Sequence, residues 1–292
     1  MKRLLLTGAS GFLGWNICKI AQNEWRIHGI ANRADFRIQR IVVHKLDLND
    51  QASLRKTFSE INPDTVIHTA AISDANYCQQ HARETYSINV AATALLSELC
   101  AAKKIPFVFT SSDLVFDGKK GSYKETDEVN PVSEYGEQKA EAERFVLQHY
   151  PEAAICRMPL MIGDGGPMKK GYLQLFCTKI KSGETLKLFI DEYRSPLGGI
   201  SAAKGLLHAL KNFKGVYHLG GKERLSRFEL GEKIAEAFRI PHSQLIPAKQ
   251  NEMKMSAPRP ADVSLDSDKA FKEGFKPELI GDELVQLTGL GR

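Results

Sequence analysis

Arg3-Leu4-Leu5-Leu6-Thr7-Gly8-Ala9-Ser10-Gly11-Phe12-Leu13-Gly14 opens the chain with an apolar strand that runs straight into a glycine-rich turn. Three glycines at three-residue spacing, between a strand and a helix, describe a phosphate cradle. Gly8 permits the tight turn, and Gly11 removes a Cβ where a pyrophosphate must approach the backbone. Gly14 lets the following helix pack closely. That helix aims unpaired N–H groups and the positive end of its dipole at the phosphates, with Ser10, Phe12 and Leu13 beside them. A dinucleotide binder is implied, with no reaction yet attached.

After the turn, short apolar runs alternate with helical stretches, the pattern of a parallel sheet with crossover helices. Strands are expected at Arg3–Leu6, Arg26–Ala31, Ile41–His44, Thr65–Thr69, Pro106–Thr110 and Ala153–Arg157, with helices over 12–23, 51–60, 79–102 and 134–149. The fold class is α/β: a Rossmann-like, doubly wound parallel sheet in which ligands gather beyond the carboxyl ends of the strands. Character changes at the breaker cluster Gly163-Asp164-Gly165-Gly166-Pro167, after which Lys169–Gly183 looks helical. A nucleotide-binding domain over 1–162 is therefore expected, then a smaller C-terminal α/β substrate lobe over 163–292. Some segments of the lobe can pack back on the first domain. Within it, Gly215–Leu219 reads as a strand and Ser226–Phe238 as a helix opened by the capping box Ser226/Glu229.

The second strand ends Ile30-Ala31-Asn32-Arg33, with no carboxylate before Asp35. A carboxylate there accepts from a ribose 2′-OH, whereas an Arg accommodates a 2′-phosphate, so Asn32 and Arg33 favour NADPH and leave NAD open. The alternative for Arg33 is a solvated loop residue. Leu46-Asp47-Leu48 follows the third strand. Asp47 either accepts from the adenine amino group, with Leu48 packed on the ring, or caps the next helix. The small residues Ala70 and Ala71, followed by Ile72, end the fourth strand and would let a cofactor lie against bare backbone.

Tyr135 and Lys139 stand four apart on a predicted helix and share a face. A free phenol titrates near pH 10, and a fixed ammonium nearby is expected to draw that value toward neutrality. The same Lys139 can hold ribose hydroxyls. Upstream, Pro106–Thr110 ends in Ser111-Ser112, where a hydroxyl can bond the carbonyl that Tyr135 would protonate; otherwise these serines merely begin a turn. Asn89 sits mid-helix, a poor place for Asn, and either holds a relay water or bonds locally to backbone.

Net charge is +5, spread along the chain without a basic stripe interleaved with aromatics, so nucleic acid is not indicated. Five scattered cysteines with no C-x-x-C pair fit a reducing cytosol. No apolar run approaches the ~20 residues of a membrane span, and the chain enters a strand at once, so a soluble, cytoplasmic protein without signal peptide is expected. Eight scattered histidines give no metal-ligand spacing.

Taken in order, Thr7–Gly14, Asp47-Leu48, Ala70-Ala71, Ser112 and Tyr135-x-x-x-Lys139 resemble the extended short-chain dehydrogenase/reductase family over the whole chain. Ser111-Ser112-Asp113-Leu114-Val115-Phe116-Asp117-Gly118 is similar to the S-T-D-Y-V-F-D-G of its dTDP-4-dehydrorhamnose reductase branch. Tyr217-His218-Leu219-Gly220-Gly221 and Arg259-Pro260-Ala261-Asp262 are similar to that branch's C-terminal lobe. The resemblance implies NAD(P)H-driven reduction of a keto group on a nucleotide-linked sugar. Tyr135 would be the general acid, Lys139 would tune it and bind ribose, and Ser112 would orient the carbonyl. Two aromatic residues of the branch are replaced by Leu114 and Leu160, which weakens the sugar assignment. Leu114 also argues against a dehydratase, which would carry an Asp-Glu pair there. The regulatory subunit of methionine adenosyltransferase resembles the same branch, so a non-catalytic NADP-binding partner protein is the alternative, with an NADP-sensing module as a third reading. A small-molecule substrate is implied, and a homodimer is left open.

Overall fold

The computed structural model describes residues 1–32, 37–168 and 171–289. Seven parallel strands form the central sheet: β1 (Arg3–Thr7), β2 (Arg26–Ala31), β3 (Val42–Lys45), β4 (Thr65–His68), β5 (Phe107–Ser112), β6 (Ala154–Met158) and β11 (Gly215–His218), in the order β3-β2-β1-β4-β5-β6-β11. Strands covered on both faces read as unbroken apolar runs. Leu4-Leu5-Leu6 is such a run, and all six residues of β5 are buried. Alternate side chains go to opposite faces. Leu4, Leu6, Val108 and Cys156 pack toward α1 (Phe12–Ala21) and α8 (Gly199–Asn212). Leu5, Phe107, Phe109 and Ile155 pack toward α2 (Gln51–Ile61), α5 (Ala92–Lys103) and α6 (Glu134–His149).

The predicted helix over 79–102 is in fact a broken series. It starts earlier, as α3 (Ala75–Gln80), continues as α4 (Ala82–Tyr86) after a break at His81, and passes through a π-helical turn over Ser87–Ala91 into α5. Tertiary partners cause the irregularity, since Asn89 and Thr85 bond to groups outside their own helix. Such π turns concentrate at functional sites.

Beyond β6, the chain forms β7 (Met161–Ile162), α7 (Tyr172–Lys181), β8 (Leu186–Phe189), β9 (Tyr193–Arg194) and β10 (Leu197–Gly198). It then forms α8 and β11 in the main body, followed by β12 (Leu225–Ser226), α9 (Arg227–Phe238) and β13 (Leu245–Ala248). The last helices are α10 (Asp268–Lys272) and α11 (Ile280–Thr288). β8 pairs with β13, and Leu173, Phe176, Leu188, Leu230, Ile234 and Leu284 form a separate core there. The capping box forms at α9, where Ser226 Oγ accepts from Glu229 N at 3.1 Å and Ser226 N donates to Glu229 Oε2 at 2.7 Å. No helix among the described residues is long and apolar enough to cross a membrane.

Candidate active site

A cavity of about 330 Å³ opens beyond the carboxyl ends of β1, β4, β5 and β6, between the sheet and the later elements. On the sheet side it begins with the glycine turn. Gly8 has φ +71°, the left-handed region, and its carbonyl accepts from Gly11 N at 2.9 Å. A Cβ on Gly14 would run into the Gly8 carbonyl oxygen, with Ala9 Cα 2.7 Å away. A Cβ on Gly11 would meet only the Gly8 oxygen, at 3.2 Å. No side chain caps α1, so its first N–H groups stay available to an anion. This open cradle of unclaimed donors fits the phosphates of a dinucleotide.

Of the residues singled out in the sequence, Gly8, Gly11, Phe12, Leu13 and Ala71 line the cavity together with Ser112, Tyr135 and Lys139. Ser10, Gly14, Ala70 and Ile72 do not line it, although each adjoins in the chain a residue that does. Asn32 is exposed at the end of β2, and Arg33 lies outside the described residues. The helix-cap reading of Asp47 is corrected: Asp50 caps α2 by accepting from Ser53 N at 2.9 Å, while Asp47 accepts from Asn49 N at 2.9 Å in a tight turn. Leu48 is buried in the core with Leu46 and Leu54.

Ser133 caps α6 at Gly136 N, 3.3 Å away, and the helix then carries Tyr135 and Lys139 inward on one face. Lys139 is 1% exposed, and its ammonium donates to the Thr110 carbonyl at 2.8 Å. It lies 4.7 Å from the Phe109 ring centroid and 5.9 Å from that of Tyr135. The expected lowering of the phenol by this cation is not found. Burial pushes Tyr135 well above its usual value, the charged forms of Cys78 and Asp113 add to the rise, and the Ser112 hydroxyl pulls only weakly the other way. Burial also draws Lys139 down to about 7, against a raising effect from Glu143. Desolvation, which no sequence spacing reveals, outweighs the pairing. Ser112 ends β5, accepts from Leu114 N at 3.2 Å and bonds Asp113 Oδ1 at 3.2 Å.

Asn89 bonds neither its own helix nor an open face of the cleft. Its amide pairs with Ile72, accepting from N at 2.9 Å and donating to O at 3.0 Å, and donates to Gln138 Oε1 at 2.8 Å. This clamps the loop after β4, whose Thr69, Ala71 and Ser73 line the cavity, to the helix that carries Lys139.

The far side of the cavity was missed by sequence reasoning. Arg194, Arg227 and Arg259 face it together with Asp113. Arg194 Nε is 3.4 Å from Asp113 Oδ2, and Glu192 holds both Arg194 (3.2 Å) and Arg227 (3.0 Å). Three guanidinium groups thus meet two buried carboxylates. Among the described residues Arg227 Nη1, Arg259 Nε, Ser111 Oγ and Asp113 Oδ2 are buried without a hydrogen-bond partner, so two cationic donors, a hydroxyl and a carboxylate oxygen are left for a ligand. Burial lifts Asp113 to about 6, partly offset by Arg194. Arg259 lay in a stretch already noted for its resemblance, but Arg194 and Arg227 carry no local signal. Leu114 and Leu160 also line the cavity.

Fold and site define an extended short-chain dehydrogenase/reductase. The chain belongs to the RmlD substrate binding domain family, whose model matches residues 1–286. It is 28% identical over 286 residues to methionine adenosyltransferase 2 subunit beta of Danio rerio, covering 95% of this chain and 86% of the relative. A hypothetical dTDP-4-dehydrorhamnose reductase from Sulfolobus tokodaii superimposes with a TM-score of 0.85 at 33% identity, over 96% of this chain and 98% of that one. The fold is shared too with a Bacillus anthracis dTDP-4-dehydrorhamnose reductase in complex with NADP, at TM-score 0.88 and 21% identity over 100% and 99% of the chains.

Proposed function

We propose that this chain is an NADPH-dependent reductase of a keto group on a nucleotide-linked sugar, with NADH the second-choice cofactor. The observation that carries the reading is the convergence of Ser112, Tyr135 and Lys139 on one cavity, between an open glycine cradle and an arginine wall in which Arg227 Nη1 and Arg259 Nε are unpartnered. Gly8, Gly11 and the first turn of α1 would hold the cofactor phosphates, and Lys139 the ribose beside the nicotinamide. Asn32, Arg33, Asp47 and Leu48 remain the candidates for the adenosine end. A cofactor held there would supply the hydride for the keto carbon. Ser112 orients the carbonyl oxygen, and Tyr135 holds its proton ready for that oxygen, because burial keeps the phenol protonated at neutral pH. Arg227 and Arg259 would bond the anionic part of the substrate.

A regulatory subunit is the second reading, favoured by the 28% identity to the zebrafish methionine adenosyltransferase subunit. NADPH oxidation by the purified protein across a panel of nucleotide 4-ketosugars separates the two. Turnover is expected with at least one sugar, and Tyr135→Phe should lower it by about a hundredfold or more while leaving NADPH affinity unchanged. Inactivity across the panel, together with a stable complex with a methionine adenosyltransferase catalytic subunit, would reverse the preference.

A further inference from the structure

The three cavity-facing arginines ride on three adjacent segments of chain. Arg194 belongs to β9, which pairs antiparallel with β12, and the pairing runs on into Arg227, whose N–H donates to the Glu192 carbonyl at 3.0 Å. On its other edge β9 meets the segment just after Arg259. There Tyr193 N donates to the Ala261 carbonyl at 2.7 Å, and Val263 N donates to the Tyr193 carbonyl at 3.3 Å. Backbone hydrogen bonds therefore fix the chain at Arg227 and just beyond Arg259, on either side of Arg194.

The side chains divide the work. Arg194 turns its guanidinium to the protein: Nη1 donates to the Tyr193 carbonyl at 3.1 Å, Nη2 lies 3.2 Å from Glu192 Oε1, and Nε lies 3.4 Å from Asp113 Oδ2. The same Glu192 oxygen accepts from Arg227 Nε at 3.0 Å, while Arg227 Nη1 and Arg259 Nε have no partner among the described residues. Two arginines thus keep a donor for a ligand, and the third bridges two carboxylates. Asp113 in turn accepts from the Ser112 hydroxyl, at Oδ1, 3.2 Å away. A line of contacts runs from Ser112 through Asp113, Arg194 and Glu192 to Arg227. The side chains of Asp113, Arg194 and Glu192 are at most 5% exposed, so salt and water screen these charges little.

We propose that Arg194 is a positioning residue, a spacer that fixes the separation between Ser112 and the free donors of Arg227 and Arg259. The site then selects substrates by span as well as by group. A keto carbon and an anion have to stand that far apart in one molecule, as they do in a sugar whose keto carbon lies across the ring from its diphosphate. The inference deepens the reductase reading and rests on it for what the two ends bind. Reacting groups misplaced by about 1 Å can lose a hundredfold in rate, so a spacer of this kind has a measurable effect without touching the substrate. Lysine in its place keeps the charge but has no planar fork to hold both carboxylates at once.

The test is Arg194→Lys, read by the binding of dTDP and of a dTDP-linked 4-ketosugar to the chain saturated with NADP⁺, the oxidised cofactor that has no hydride to give. The free nucleotide uses one end of the span and the ketosugar uses both. Affinity for dTDP should stay within about twofold of wild type, while affinity for the ketosugar should fall about tenfold. With NADPH in place of NADP⁺, kcat should fall about ten- to a hundredfold. The double variant Arg194→Met/Asp113→Asn removes one charge of each sign and leaves Glu192 paired with Arg227, so it reports the same selective loss should the single variant not fold. A folded variant that keeps wild-type affinity for both ligands, or loses both equally, overturns the proposal. Wild-type protein that binds the ketosugar but does not oxidise NADPH with it sinks the reductase reading instead and leaves the binding comparison standing.

Discussion

On one side of the cleft, the glycine turn leads into the uncapped start of α1, which offers backbone N–H groups; on the other, Arg194, Arg227 and Arg259 bring guanidinium groups beside Asp113. The first wall is laid down by fourteen consecutive residues. The second is assembled from positions 113, 192, 194, 227 and 259, carried by β9 and the residue before it, α9 and the segments that follow β5 and β13. A local wall recognises what many proteins bind, a pair of phosphates, and its geometry is set by sterics at a few glycines. An assembled wall depends on the packing of a whole lobe, and it is there that one substrate is distinguished from another.

If the walls act independently, each should break without the other. Gly14→Ala should have the largest effect. Its methyl would meet the Gly8 carbonyl and Ala9 backbone, neither of which can step aside, so destabilisation of about 3 kcal/mol is expected, with NADPH affinity lowered at least tenfold. Thermal unfolding and a binding titration measure both. Arg259→Ala comes next. No described residue bonds its Nε, so truncation strands no partner among them there, and KM for the sugar nucleotide should rise about ten- to a hundredfold with NADPH affinity unchanged. Equal losses for both ligands would show that the walls are coupled. The smallest change expected is at Asp113. Burial raises it from 3.8 to about 6, so its contribution is present below the unfolded value and is lost as pH rises through the folded one. Asp113→Asn cannot ionise, and relative to wild type it should be more stable at neutral pH than at about pH 4, by on the order of 1–3 kcal/mol. A difference that does not change with pH would remove Asp113 from the charge balance of that wall.

The same division explains what could be read in advance. The glycine turn, the Tyr135–Lys139 face and the Ser226/Glu229 box are short-range patterns, and all three form in the structure. The helix expected over 79–102 failed because Asn89 and Thr85 are drawn to Ile72 and Gln138, partners separated from them in sequence by 17 and 53 positions. Asp47 yielded its cap to Asp50, a shift of three residues that composition alone could not resolve. The electrostatics of Tyr135 and Lys139 depend on burial among Phe109, Cys78 and the Ser112 region, which only the folded chain supplies. Arg194 and Arg227 sit in ordinary polar surroundings in the sequence, and nothing nearby distinguishes them from solvated cations.

β11 belongs to the later part of the chain yet pairs with β6 over Gly215–His218. During synthesis on a ribosome, the first 162 residues would emerge with one row of the backbone groups of β6 unpaired, until some fifty more residues follow. Such an interval exposes a sticky margin that invites pairing with another nascent chain. A gene fragment cut at Ile162 would make that transient condition permanent, whereas one extended through Leu219 would supply β6 with its partner.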